Sequence, residues 1–341
     1  FLCALPAMRA LRDHRPGAHI VLIGLPESEH LVERFRCYLD DLLPFPGWPG
    51  LSEREPHAEI LEAFLAQAAR RRFDLAIQMH GSGLISNHVI RRLGARYVLG
   101  FRPQDRREPE GGEWFLPWRD HEPESERWLR LLAQIGVPSP ADMPELPVFE
   151  EDRAALSLCL RRARSRLREH GYVCVHPGSS TGSRCWSSAG FAEVAAGLAQ
   201  SGLQVVVTGS RSEAEITSRV ARAAGTGALN LGGGTSFGAL AALISGASLL
   251  LCNDTGVSHL AALLRVPSVV IFTGSDPLRW APLDHRLHRS LHRHPPDLPS
   301  CPGSAVCSPI CMPEVTAERV LAESLGLLNE ARHRKQRGER A

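Results

Sequence analysis

Residues 171–186 read Gly171-Tyr-Val-Cys-Val-His176-Pro-Gly-Ser-Ser-Thr-Gly-Ser-Arg184-Cys-Trp186. An unbroken apolar run ends on a loop of glycines and hydroxylated residues, and a helix-patterned segment over 188–201 follows. The same order recurs downstream. Strand-like runs at Leu203–Thr208, Ala228–Leu231, Ser248–Cys252 and Val266–Phe272 alternate with helical patterns over 211–224, 236–246 and 256–264. Strands that are apolar on both faces and alternate with helices predict a parallel sheet covered on both sides.

Upstream the alternation continues, with strands expected at His19–Gly24, Phe73–Met79 and Tyr97–Gly100 and helices over 57–72, 82–93 and 123–135. The proline-rich stretch Val137–Pro147 marks a boundary, and an arginine-rich helix is expected over 151–169. The expected organisation is α/β: two Rossmann-like doubly wound domains, 1–150 and 151–330, facing a cleft, with a basic tail at 331–341. In such sheets ligands sit at the carboxyl ends of the strands. The chain opens directly on Ala4–His14, where Leu5, Met8, Leu11 and Arg12 fall at helical spacing. The expectation is that a first strand and its loop precede it.

Composition removes several classes. Among 341 residues no apolar run approaches the ~18 needed to span a membrane, and Phe1 to Leu11 lacks the features of a signal peptide. A net charge of +2 argues against a nucleic-acid binder. Of 39 Lys and Arg only Lys335 is lysine, and it lies in the tail, so neither a P-loop nor a pyridoxal Schiff base can form. Nine cysteines, an odd number, point to a reducing, cytoplasmic setting. Cys301, Cys307 and Cys311, near His292 and His294, lack a paired CxxC knuckle; reduced thiols and no metal are the expectation. Asp284–His294 alternates Arg and His with Leu287 and Leu291, which reads as a solvated helix face or a basic wall.

Three strand ends carry the chemistry. The 176–186 loop lets backbone amides approach an anion, and Arg184 adds a charged fork. Thr208-Gly-Ser-Arg-Ser-Glu213 places a carboxylate one turn into a helix, where it either accepts from a vicinal diol such as ribose or complements the helix dipole. Asn253-Asp254-Thr255-Gly256-Val-Ser258-His259 is the sharpest signal. Asp254 or Thr255 caps a helix whose first free amides, at Gly256 and Val257, suit a phosphate, while Asp254 suits sugar hydroxyls. His259 either donates to a phosphate or fills a wall.

Two other patterns compete. Gly178-Ser-Ser180-Thr-Gly182 matches a hydrolase nucleophile elbow, with Asp254 and His259 following in triad order. The helix, however, starts well after Ser180, and Asp254 and His259 lie too close in sequence for separate triad loops. The glycine clusters at 225–227 and 232–234 miss the third glycine of a dinucleotide fingerprint.

Together, His176-Pro-Gly-Ser-Ser with Arg184-Cys-Trp186, Thr208-Gly-Ser-x-x-Glu213, Leu231-Gly-Gly-Gly-Thr-Ser236 and Asn253-Asp-Thr-Gly-Val-Ser-His259 resemble glycosyltransferase family 9, the bacterial ADP-heptose:lipopolysaccharide heptosyltransferases. Leu5–Arg12, Pro16–Ile20, Phe73–Ile77 and Gly81-Ser82 extend the resemblance over about 1–325. It implies a GT-B fold and inverting transfer of a sugar, heptose from ADP-heptose foremost, to a lipopolysaccharide core-type acceptor, with no metal or other cofactor. Ser179, Ser180, Thr181 and Arg184 match diphosphate ligands, Glu213 the ribose clamp, and Asp254 the donor-sugar ligand. Thr255, Gly256 and His259 surround the phosphate, and Gly81 and Ser82 lie on the acceptor side.

Arg184 replaces the family's lysine, which changes reach. The family's catalytic carboxylate falls in a loop just before the position of Phe1, so the resemblance assigns no base here; Asp13, at the far end of the following helix, is no substitute. A non-catalytic nucleotide-sugar-binding relative is the alternative, with a Ser180 hydrolase behind it. The implied partners are a nucleotide-sugar donor, ADP-linked by preference, and a lipid-linked oligosaccharide acceptor. The expected chain is a cytoplasmic monomer whose cationic tail allows peripheral contact with the inner membrane.

Overall fold

In the computed structural model residues 1–51, 57–105, 113–293, 311–312 and 314–337 are described. The chain divides into two units, Cys3–Pro144 and Glu145–Ala341, and the division falls inside the proline-rich stretch.

The first unit runs α1 (Leu5–His14), β1 (Val21–Gly24), α2 (Glu29–Arg34), β2 (Asp41–Pro44), α3 (Ala58–Arg71), β3 (Leu75–Ile77), α4 (Ser86–Arg92), β4 (Tyr97–Arg102), β5 (Glu113–Pro117) and α5 (Glu124–Ala133). Its strands form two parallel sheets, β1-β2 and β3-β4-β5. Leu43, Phe64, Ala76, Ile90 and Phe115 share one core, against which Val21 and Ile23 also pack. Arg12 ties α1 to the β1-β2 sheet, donating to Asp40 Oδ2 at 2.5 Å and to the Ala18 carbonyl at 2.7 Å. Strands β2 and β5 escape a search for apolar runs because charged residues open both. Glu113 of β5 is held by Arg91 in a bidentate pair at 2.9 Å, so an edge strand carries a charge without loss.

The second unit runs α6 (Glu150–Arg162), β6 (Tyr172–His176), α7 (Ser188–Gln200), β7 (Gln204–Val207), α8 (Ala214–Ala223), β8 (Leu229–Asn230), α9 (Phe237–Ser245), β9 (Leu249–Asn253), α10 (Gly256–Leu263), β10 (Ser268–Phe272), α11 (Pro277–Trp280), β11 (His288–Arg293), β12 (Cys311–Met312) and α12 (Ala317–Gln336). All seven strands are parallel, in the order β12-β11-β10-β9-β6-β7-β8. The chain travels outward from β6 to β8, then returns beside β6 as β9 and builds the other half. The switch point lies between β6 and β9, where a doubly wound sheet opens a crevice at its carboxyl edge. Every residue of β9 and β10 is buried, as continuous apolar runs require.

Three expectations are corrected. The arginine-rich helix ends at Arg162, not 169, and Arg164 follows in the left-handed region at φ 49°. Asp284–His294 is not a helix face: its core is strand β11, paired with β10. Leu291 is fully buried and Arg289 is taken up by α12, donating to Glu330 at 2.8 Å. The segment's order comes from the register with β10, not from a pattern of its own: Leu287, His288, Ser290 and Leu291 are all buried. The basic tail expected as a segment of its own over 331–341 is, as far as Gln336, the end of α12, with Arg334 donating to the Arg286 carbonyl at 3.1 Å. No helix among the described residues is long and apolar enough to cross a membrane.

At the amino edge of this sheet His288 is buried and its Nδ1 lies 2.8 Å from Ser268 Oγ. Burial pushes the imidazole from 6.5 down to about 4, against a smaller opposing effect of Asp284. Between those values the unfolded chain binds the proton and the folded chain does not, so stability is full above pH 6.5 and falls as pH drops toward 4. Denaturant melts across this window should lose up to about 1.4 kcal/mol per pH unit through this group. The variant His288→Gln should show a shallower pH dependence.

Candidate functional site

The carboxyl edge of the second unit's sheet gathers four loops. The first follows β6, whose last residue His176 sets Nδ1 3.0 Å from Thr208 Oγ1; burial keeps this ring's pKa below the usual histidine range. Its loop is gripped by the fully buried Asn253 at the end of β9. Asn253 Nδ2 donates to the carbonyls of Pro177 at 2.8 Å and Gly178 at 3.2 Å, and Oδ1 accepts the Trp186 amide at 2.9 Å. Trp186 Nε1 donates to the Val315 carbonyl, and the ring meets Phe191 edge-on. Ser187 is the cap of α7, accepting from Gly190 at 3.3 Å. Between these anchors Ser180 and Thr181 are exposed, and Arg184 is half-buried on a 3-10 turn.

The second loop follows β7. Glu213 Oε2 accepts from both the amide (2.6 Å) and the hydroxyl (2.8 Å) of Ser210, so the acid does cap its helix. The other oxygen lies over Gly178, where a Cβ would stand 2.0 Å from Oε1, and a Cβ at Gly209 would also crowd the carboxylate. Two glycines thus make the seat of Glu213, beside a cleft of about 310 Å3 lined by Ser179, Cys185, Ser188 and Arg219. The helix-capping reading of Glu213 is thus met by Oε2, and among the described residues no hydrogen bond reaches Oε1.

The third loop follows β9. Asp254 is 2% exposed; its Oδ2 accepts from Ser275 Oγ at 2.5 Å and lies 3.9 Å from Arg184 Nη1. Burial raises its pKa, and the Ser275 hydroxyl and the Arg184 charge counter that rise. Among the described residues no hydrogen bond reaches Oδ1. Thr255, not Asp254, is the cap of α10: its Oγ1 accepts from Val257 at 3.2 Å. That spends the Val257 amide, one of the two expected to be free for a phosphate; the other belongs to the exposed Gly256. His259 is half-buried, its ring centroid 6.3 Å from that of Trp280, and desolvation pushes its pKa down to about 4. Near neutral pH it is an uncharged donor or acceptor.

The fourth loop, Thr273–Asp276 after β10, was missed. Thr273 Oγ1 donates to the Ser183 carbonyl at 2.9 Å, a Cβ on Gly274 would stand 2.4 Å from that same oxygen, and Ser275 holds Asp254. Its signal was its place directly after a buried strand. Asn253 has no local sign of its role in the sequence, because its partners lie 67 to 76 residues away.

Among the described residues, no hydrogen bond joins Ser180 to His259, and α7 begins only at Ser188. The strained turn that presents a hydrolase serine is therefore absent. Gly81 and Ser82 lie in the first unit, at the carboxyl end of β3. Gln78 is buried there and donates to Ser86 Oγ at 2.6 Å and to the His80 carbonyl, and Gly83, at φ +86°, lies against the Phe101 carbonyl. Asp13 is exposed and pairs with Arg9 at 3.6 Å. Of the candidate zinc residues, Cys301, Cys307, His294 and the Cys311 side chain lie outside the described residues. Elsewhere no three His, Cys, Asp or Glu residues group as a metal site.

A parallel α/β unit followed by a doubly wound one is the arrangement of the GT-B fold, and solved structures agree on the fold. A family 9 glycosyltransferase from Veillonella parvula superposes with a TM-score of 0.77 at 19% identity, covering 96% of this chain and 94% of that one. An ADP-heptose lipopolysaccharide heptosyltransferase II from Escherichia coli gives 0.70 at 22%, covering 97% and 96%. The family model for glycosyltransferase family 9 (heptosyltransferase) matches residues 63–300, and the chain belongs to that family. Among curated relatives, the lipopolysaccharide core heptosyltransferase OpsX of Haemophilus influenzae is 28% identical over 64% of this chain and 62% of its own length. Lipopolysaccharide heptosyltransferase 2 of Escherichia coli is 30% identical over 47% and 49%. The matches therefore span about half to three-fifths of these relatives.

The glycine seat yields a direct test. Gly178→Ala should push Glu213 off its position, lowering stability by about 1–3 kcal/mol in denaturant melts. Gly182→Ala, with nothing within 4 Å of its Cβ, should melt with the parent chain.

Proposed function

We propose that this chain is an inverting glycosyltransferase that moves heptose from ADP-heptose to a lipopolysaccharide core-type acceptor. The observation that carries this reading is the convergence of the 177–186 loop, Glu213 and Asp254 at the carboxyl ends of β6, β7 and β9. A nucleoside diphosphate sugar asks for these three things together. Arg184 and the loop amides face a diphosphate, Glu213 Oε1 accepts from ribose hydroxyls, and Asp254 Oδ1 accepts from the transferred sugar.

In the reaction the acceptor hydroxyl attacks the anomeric carbon and gives up its proton to a base. The bond to the diphosphate breaks, and the electron pair leaves on the phosphate oxygen. The work of the second unit is to stabilise that departing charge with the Arg184 guanidinium and the Gly256 amide, which are in place before the reaction. Gly81 and Ser82 of the first unit are proposed to meet a lipid-linked oligosaccharide acceptor, at the cytoplasmic face of the inner membrane. Donor binding is separable from transfer, so a relative that holds the nucleotide sugar without transferring it is the competing outcome.

Thermal-shift titration with ADP, UDP, GDP and dTDP tests the donor site. Ligand at ~100 times its dissociation constant stabilises the folded chain by about 2.7 kcal/mol. Selective stabilisation by ADP, lost in Glu213→Ala, is expected; Asp254→Ala should keep ADP binding and weaken binding of ADP-heptose. Response to none of the nucleotides would refute the donor reading. ADP-heptose bound without transfer to a core acceptor would mark a non-catalytic relative.

A further inference from the structure

The anion-facing loop has no regular structure over most of its length, yet its two ends are joined to one side chain. Asn253 is fully buried at the switch point, and all the described hydrogen bonds of its side chain go to this loop: two carbonyls at the start, Pro177 and Gly178, and one amide at the end, Trp186. A primary amide is the side chain suited to this, since it offers two N–H donors and an acceptor in one plane. The far side of the loop is held from β10, by Thr273 Oγ1 on the Ser183 carbonyl and by the close approach of Gly274. Ser179, Ser180, Thr181 and Arg184 all lie between these fixed points.

We infer that Asn253 is a positioning residue of the donor site, clamping the 177–186 loop so that its amides and Arg184 meet the diphosphate without reorganising. The inference rests on the donor reading above. Asn253 touches no ligand in this role; it acts through the loop, and because it directly precedes Asp254 it also couples the diphosphate loop to the sugar-facing carboxylate. Preorganisation of this kind appears in affinity, because a loop that must be ordered on binding takes that cost from the ligand.

The test compares the full chain with Asn253→Asp, Thr273→Val and a control, Ser268→Ala, which removes a buried hydrogen bond at the opposite edge of the same sheet. Asn253→Asp keeps an acceptor for the Trp186 amide but sets a carboxylate oxygen against two carbonyls. Calorimetric titration with ADP should show binding weakened by about tenfold or more in Asn253→Asp and about threefold in Thr273→Val. Amide hydrogen exchange over 178–186 should rise in both. Ser268→Ala should lower the melting temperature and leave ADP affinity unchanged. Equal ADP affinity in Asn253→Asp and wild type, or equal weakening in Ser268→Ala, would overturn the clamp while sparing the donor reading. Failure of the wild-type chain to bind ADP would overturn both. Should Asn253→Asp not fold, the exposed Thr273→Val carries the same decision: unchanged exchange and affinity refute the clamp.

Discussion

Strands β9 and β10 are buried along their whole length, and that constraint organises the second unit. A strand with no exposed face must be covered by helices on both sides, and short crossover helices force neighbouring strands to run parallel. In a parallel sheet every strand leaves at the same edge, so the loops after β6, β7, β9 and β10 have one place to go. Each buried valine, leucine or isoleucine contributes roughly 1.5–3 kcal/mol, while a typical hydrogen bond in the loops nets about 1. Apolar burial in the strands therefore assembles a polar site that its own hydrogen bonds could not.

Asp254 shows the electrostatic side of that arrangement. It is nearly inaccessible, and burial favours its neutral form. Ser275 supplies a hydrogen bond at 2.5 Å, and Arg184 stands 3.9 Å away, beyond direct hydrogen-bond reach. The pair is therefore an electrostatic contact across two loops and not a hydrogen bond. Because Asp254 and Arg184 sit on separate loops, the charge balance of the site depends on the relative placement of those loops. Asn253, which binds one loop and belongs to the other, sets that placement.

The first unit shows where local pattern stops being informative. Strand β4 is readable because Val98, Leu99, Gly100 and Phe101 form a continuous buried run. Strand β5 is not, since Glu113 and Trp114 open it and its pairing to β4 supplies the order that its composition does not. Strand β11 fails for a related reason: Arg289 and His288 look solvated until α12 brings Glu330 to Arg289 and Ser268 meets His288. In each case a distant partner changes the meaning of a charged residue.

The amino-acid sequence by itself determined the parallel α/β class, the strand ends that carry glycines, hydroxyls and carboxylates, and the candidates Arg184, Glu213, Asp254 and Thr255. These follow from apolar periodicity and from helix-start chemistry, both of which act over a few residues. Only the tertiary structure decided which of Asp254 and Thr255 caps α10, that Gly178 forms the seat of Glu213, and that Ser275 and Thr273 belong to the site. It also gave Asn253 its meaning, through bonds to residues 67 to 76 positions away in the chain. Such contacts are created by strand order, and strand order is a property of the whole sheet, so no local stretch of sequence contains it.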